Sequence, residues 1–359
     1  MEKSEKKSRS LLVRLIVGIF KFHMFLFCFC NPFKKNEKTV IRFVRMMGMF
    51  LLLYTLAAPF VMLANHMTFP EFSENKVHRS FNTASEDVIG VRYVESLLYI
   101  YDSAMKPWLP NDLIWPTILL DNKPSFQLGA REAFLDGLFM LKEYNVKNRT
   151  SGKKDVDALK AWEKFSYDPD SWIMPRTEDE YAEGAKHLRK VITKLKSGAL
   201  TFYPRVDNAA EATERYASSL GSINTQLYNC LSHFSKRISE ETLGDPVLTE
   251  KKARVAADVP WYEIDEVFEY SRGYLFGLRE TFVAFSYDFK EPIQERKSEE
   301  LIASMVDDFL DYTQFEPLVI VSGSPGSMYP KHPMDLLTIS SPSLTRMKDL
   351  TIMLTAAVR

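Results

Sequence analysis

Cysteine is almost absent from this chain of 359 residues: Cys28 and Cys30 lie near the N-terminus, and Cys230 stands alone in the remainder. No intrachain disulfide can form within residues 67–359, so a packed core must hold that part together. Cys28-Phe-Cys30 sits in an apolar setting without further ligands and reads as packing rather than as a metal or redox pair. Cys230 reads as a small buried hydrophobe. Histidine is sparse as well. His23, His66, His78, His187, His233 and His332 make no H-E-x-x-H and no close pair, which leaves zinc without sequence support.

Catalytic signatures are missing in the same way. No G-x-S-x-G elbow occurs, and Gly323-Ser-Pro-Gly-Ser327 has neither the lysine nor the helix start that a phosphate loop needs, so it reads as a turn. Acids are plentiful instead. Asp112, Asp121, Glu132, Asp136 and others would each serve as half of a carboxylate pair, but abundance gives no reason to choose among them. No cofactor is implied.

The charges nearly cancel, with 46 Lys and Arg against 47 Asp and Glu. Their distribution does not. Before Met46 eleven basic residues face three acids, so the rest of the chain carries nine more acids than bases. An acidic folded part makes a nucleic-acid surface a poor fit.

What the chain does have is one long uncharged run, Met46 to Asn65, directly after that basic leader. Twenty helical residues rise about 30 Å, the thickness of bilayer hydrocarbon, and membrane helices tolerate a proline such as Pro59. Lys34, Lys35, Lys38, Arg42 and Arg45 precede the run, whereas Glu71, Glu74 and Lys76 come after it. The positive-inside rule then keeps the N-terminus in the cytoplasm and exports residues 67–359. With a long basic region and no A-x-A-like site, the run reads as an uncleaved signal anchor. Residues 11–33 are apolar but broken by Arg14 and Lys21, which share a narrow polar stripe with Ser10 and Gly18. That pattern predicts a helix lying in the cytoplasmic interface, with a second span as the rival reading. The expected divisions are 1–45 basic tail, 46–66 transmembrane anchor, 67–84 tether and 85–359 exported domain.

Helical periodicity fills that domain. Val91, Val94, Leu98, Tyr101 and Met105 repeat at three and four after Ser85-Glu-Asp87, and Tyr181, Ala185, Leu188, Ile192 and Leu195 do so behind a capping box at Thr177–Glu180 until Gly198. After Pro260, Ile264, Phe268, Ser271, Leu275, Leu278, Phe282 and Phe285 form the seam of a long amphipathic helix. Further helices are expected over 126–144, 156–165, 209–234, 298–312 and 344–354, the last opened by Ser341-Pro342. Two short runs, 200–203 and 318–321, look extended and are expected to pair with each other. The fold class is therefore mainly α: a membrane-anchored multi-helix bundle with at most a minor two-stranded β element.

Three stretches set polar groups among aromatics and prolines: WLPNDLIWP (108–116), DNKPSFQLG (121–129) and FYPRVDN (202–208). Packing alone would prefer hydrophobes there. Loop closure and helix capping, with Ser125 and Asp207 at cap positions, is one reading. A ligand or partner groove is the other, and its candidates are Trp108, Asn111, Asp112, Asp121, Asn122, Gln127, Tyr203, Arg205 and Asp207.

In their order and spacing WLPND, DN-x-x-x-FQ-x-G, FYPR-x-DN, WYEIDEVFEYSRGYLFGL and the closing VSGS segment resemble the bacterial family known as domain of unknown function 2333, from about Met46 to the C-terminus. In the closing loop Pro330-Lys-His332 departs from the asparagine-histidine the resemblance leads one to expect. The resemblance implies a single-pass protein of the bacterial inner membrane with no established activity, and it carries over no functional residue. The expected role is a non-catalytic envelope scaffold that contacts inner-membrane lipid and an envelope protein. The alternatives are a carboxylate-pair hydrolase of the cell wall or a binder of lipid or another small apolar molecule.

Overall fold

A computed structural model describes residues 39–67, 88–111, 122–148, 152–230, 259–260, 263–313, 320 and 333–356. The segment 11–33, most of the tether, Asp112, Asp121 and the glycine-serine turn lie outside those residues. The chain divides into two compact units, Met1–Phe69 and Pro70–Arg359.

The first unit contains α1, Thr39–Met67, whose backbone is helical for 29 residues. It begins ahead of the expected anchor and takes in Arg42 and Arg45. Val40, Phe43, Val44, Phe50, Leu53 and Phe60 are all more than half exposed along it. Side-chain burial in this helix is described only as far as Phe60. Among the residues whose side chains are described, which in α1 omit 55, 58, 59 and 61–67, no helix is long and apolar enough to cross a membrane.

The second unit is built from helices, as the periodicity predicts. In order these are α2 (Val91–Ala104), α3 (Asn122–Met140), a π-helical turn (Leu141–Asn145), α4 (Val156–Phe165), α5 (Thr177–Lys196), α6 (Val206–Asn229), α7 (Ile264–Asp288), α8 (Lys290–Glu295), α9 (Glu299–Thr313) and α10 (Pro333–Thr355). The one sheet among the described residues joins β1 (Val146–Asn148) and β2 (Leu200–Phe202) antiparallel, with Lys147 opposite Thr201. β2 was expected to pair with 318–321, of which only residue 320 is among the described residues. Its partner is instead the segment that leaves the π-helical turn, because α4 and α5 form a hairpin that returns the chain beside it.

α7 is the axis of the unit and packs against α2, α3 and α9. Every member of its predicted seam is buried, but so are Glu269, Arg272, Gly273, Gly277, Arg279 and Glu280 on its other faces. The helix is enclosed all round rather than amphipathic. It can be so because its charges pair: Arg272 donates to Glu269 at 3.0 Å, and Arg279 to Glu280 at 2.7 Å.

α5 keeps closely to the sequence pattern. Tyr181, Ala185, Leu188, Val191 and Leu195 are buried, with Val191 facing inward where Ile192 was expected. Acids fill its first turn and Lys194 and Lys196 its last, which suits the helix dipole. The helix stops where Gly198 takes φ 72, a left-handed conformation that costs glycine little. Ala199 N then reaches back to Lys194 O and Gly198 N to Leu195 O, closing the last turn.

Three expected helix starts are corrected. Thr177 does not cap α5. Its hydroxyl donates to the carbonyls of Asp168 and Ser171, at 2.8 and 3.0 Å, and so closes the preceding loop. α3 begins at Asn122, which places Ser125 inside the helix. α10 begins at Pro333, a first-turn position that needs no N–H donor, and runs through Pro342. α2 meanwhile has Gly90 at its N-terminus with no local side-chain cap. Asp288, at the end of α7, supplies one from 195 residues away: its carboxylate accepts from Gly90 N at 2.9 Å and Tyr93 N at 2.8 Å.

Candidate functional site

The polar candidates between 108 and 127 form a loop clasp. Gln127, fully buried on α3, accepts from Leu109 N at 2.9 Å and donates to the carbonyls of Pro107 and Ala104 at 2.6 and 3.1 Å. The chain leaving α2 is thereby fixed to α3. Trp108 stacks edge-on against Tyr181 at 5.2 Å and donates its Nε1 to Pro169 O at 2.8 Å. Asn111 donates to Ser171 O at 2.8 Å and to Glu178 Oε2 at 3.1 Å, while its own buried Oδ1 has no partner among the described residues. Asn122 is exposed at the start of α3, and Asp112 and Asp121 lie outside the described residues. Trp108 and Asn111 thus both hold the loop between α4 and α5.

Tyr203, Arg205 and Asp207 belong to the opposite end of α2. Phe202, next to Tyr203, packs against Gly90, whereas the clasp donates to the carbonyl of Ala104. The 14 residues of α2 rise about 20 Å between those points, so the described candidates around Gln127 and those around Arg205 do not line one groove. Arg205 and Asp207 pair with each other at 3.0 Å, both largely exposed. Tyr203 contributes its carbonyl to Asn208 Nδ2 at 2.9 Å, and Asn208 also reaches Tyr144 O at 3.3 Å. Asn208, which sequence reasoning passed over, is the residue that ties this turn to the π-helical one. Beside it an open cleft of about 630 Å³ is lined by Arg205, Asp207, Glu291, Glu295, Arg296 and Leu354 among others. A second, of about 430 Å³, lies between α6 and α10 and is lined by Glu214, Lys348 and Ile352 among others.

A third group of polar residues converges where no sequence argument singled them out. Asp136 is completely buried on α3, and its carboxylate accepts from Arg215 Nε at 2.6 Å, Ser219 Oγ at 2.8 Å and Tyr274 OH at 3.1 Å. Alongside, Tyr93 OH donates to Gly137 O at 3.1 Å and lies 3.2 Å from Tyr216 OH. Side chains from α2, α3, α6 and α7 therefore meet in one polar seam. Burial pushes the Asp136 carboxyl above its ordinary range, while Arg215, Ser219 and Tyr274 pull it back. Glu132, one turn earlier on α3, is also raised, first by burial and then by Asp136. The phenol of Tyr270 is pushed up to about 12 by burial and by these two acids. The signal available in the sequence was the i, i+4 spacing of Glu132 and Asp136, which places both on one helix face.

Neither carboxylate is among the residues that line the two clefts, and among the described residues no group of histidines, cysteines and acids is placed to hold a metal ion. The bonds made by Asp136 join three helices, which is the chemistry of an internal cross-link. The protein defined by this fold is a helical bundle with a polar seam through its core. Its sequence places it in a family. Residues 36–333 match the family described as uncharacterized protein conserved in bacteria, domain of unknown function 2333, and the chain belongs to it. The match begins ten residues earlier than the resemblance suggested and ends at the start of α10. No curated protein and no solved structure matches the chain.

Proposed function

We propose that the protein is anchored in the bacterial inner membrane through α1, with its helical unit in the periplasm, and that this unit acts by binding another envelope protein rather than by catalysis. The observation that carries the anchor is the broad run of exposed apolar side chains on α1, from Val40 to Phe60, which leaves only the side around Leu52 covered. Water would disfavour such a surface, and hydrocarbon would not. The uncharged run continues in sequence to Asn65, and Lys34, Lys35, Lys38, Arg42 and Arg45 crowd its upstream side while Lys76 is the first base downstream, which supports a cytoplasmic N-terminus. Interfacial placement of residues 11–33 belongs to the same reading.

A binding role is supported by the use made of the polar candidates. Those of the 108–127 stretch that the structure describes in contact are spent on fixing backbone, and both described clefts are open and bordered by charge. Charged borders suit a polypeptide partner better than an acyl chain. Hydrolysis through Glu132 and Asp136 has raised carboxyls in its favour but no described cleft to receive a substrate.

The test is a pair of fusions after Arg359, one to an enzyme active only outside the cytoplasm and one to a fluorescent protein that matures only inside. Enzyme activity without fluorescence is expected. Fluorescence without activity would overturn the topology, and the periplasmic role with it.

A further inference from the structure

The loop between α4 and α5 carries Trp172, Ile173 and Met174, which are 50%, 60% and 91% exposed. Three consecutive large apolar side chains at one tip form a contiguous exposed patch, where scattered single ones would be ordinary. The tip is also held in shape. Ser171 Oγ donates to the carbonyls of Ile173 and Pro175, at 3.2 and 2.9 Å, within the turn itself. Thr177 Oγ1 closes its base onto Asp168 and Ser171, and Trp108 and Asn111 fasten it to the body of the bundle. This set of side-chain donors serving one short loop pre-organises the apolar tip, so little further ordering is needed to bury it.

Charge and position narrow the occupant. Asp168 and Asp170 are exposed beside the tip and make no ion pair with the described residues, while Arg176 is neutralised by Asp179 at 3.0 Å. The rim is therefore acidic. An anionic bilayer surface repels such a rim, whereas a protein surface bearing lysine and arginine attracts it. The tip is fastened at the Ala104 end of α2, about 20 Å by helix length from Gly90 at the start of that helix.

We propose that Trp172, Ile173 and Met174 are a docking plug for a protein partner that offers an apolar pocket rimmed by lysine and arginine. The proposal rests on the reading of this unit as an interaction domain, and it identifies the surface and the chemistry of the partner that binds there. Trp172 is the anchor, since tryptophan filling a desolvated pocket dominates interfaces of this kind, and the aspartates steer the approach.

A photo-crosslinking residue at Met174 of the full chain in its own bacterium tests this, with the same residue at Val156, 59% exposed at the start of α4 and outside both described clefts, as control. The expected result is a discrete protein adduct from position 174 and none from 156. Trp172→Asp should cut that adduct at least tenfold with an unchanged melting temperature, and the purified complex should weaken at least tenfold from low to high salt. If Trp172→Asp lowers the melting temperature, Ile173→Asp takes its place. A lipid adduct only, an adduct with a second copy of this chain, no adduct, or one indifferent to both substitutions and salt would each overturn the proposal. None of these readouts depends on the fusions after Arg359, so a misplaced plug and a misplaced membrane topology are told apart.

Discussion

A Cβ on Gly129 would lie 1.9 Å from the carbonyl oxygen of Tyr270, and a Cβ on Gly273 would lie 1.9 Å from the carbonyl oxygen of Phe126. The two glycines face each other across the contact of α3 with α7, where the backbones themselves touch. The relation continues one turn at a time: Gly277 meets Ala133, and Gly137 meets Thr281. Small residues every fourth position on both helices allow this approach, as they do in closely packed helix pairs generally.

Substituting alanine for either glycine must push the helices apart. Gly129→Ala or Gly273→Ala is expected to destabilise the second unit by about 3 kcal/mol or more, beyond the usual cost of one excess methyl, because the obstacle is backbone that cannot rotate away. The double variant should cost clearly less than the two single costs added, since one separation relieves both clashes. Urea denaturation of the four proteins measures this, and full additivity would contradict the shared contact.

Asp136 gives a second prediction. Asp136→Ala leaves the Arg215 guanidinium beside the core without its carboxylate and strips Ser219 and Tyr274 of their acceptor, so a loss of roughly 3–5 kcal/mol is expected. Replacing Asp136 and Arg215 together by leucine and methionine should recover much of it, because no charge is then stranded. Thermal melts of single and paired variants separate a cross-link from a catalytic acid, which would carry no such rescue.

Stability should also depend on pH in a defined direction. Burial pushes the Asp288 carboxyl up to about 6, against the pull of the Gly90 and Tyr93 N–H groups, and pushes Glu280 up to about 7, against Arg279. In the unfolded chain both acids lose their protons near pH 4, so the folded form holds them more tightly. Their contribution is present in full below about pH 4 and is lost as pH rises through about 6 for Asp288 and about 7 for Glu280. Asp288→Asn and Glu280→Gln should each flatten the fall in stability between pH 4.5 and 7.5, by up to about 2–3 kcal/mol. Urea midpoints at four pH values across that window check it.

The loop clasp can be probed without disturbing the core. Trp108→Phe keeps an aromatic ring against Tyr181 but removes the Nε1 donor to Pro169 O, at a cost of about 1 kcal/mol. Amide exchange should quicken around 168–176 more than elsewhere. Uniform quickening would mean that Trp108 supports the whole fold and not this loop.

Much of the helical layout was legible. The spacing of Tyr181, Ala185, Leu188 and Leu195 forecast α5, and Gly198 its end, since both signals are local. The starts of α3 and α10 were misplaced because each helix takes in a proline, Pro124 or Pro342, that reads in sequence as a boundary. Of the site candidates, Gln127 and Asn111 were recognisable as polar groups that had to be satisfied, but nothing in the order of residues revealed that they fasten backbone. Asp136 was one acid among 47 until Arg215, Ser219 and Tyr274 were brought to it.

By itself the sequence determined the features that depend on neighbours along the chain: the mainly helical class, the uncharged run behind a basic leader, the scarcity of cysteine and the family. Only the tertiary structure decided that β2 pairs with Val146–Asn148, that Asp288 caps a helix 195 residues upstream, that the described candidates split between two ends of α2, and that Trp172, Ile173 and Met174 are held out in water. The physical reason is range. Helix periodicity and capping act over one or two turns, whereas burial, charge pairing and the room for a Cβ are set by whichever residues the fold brings alongside.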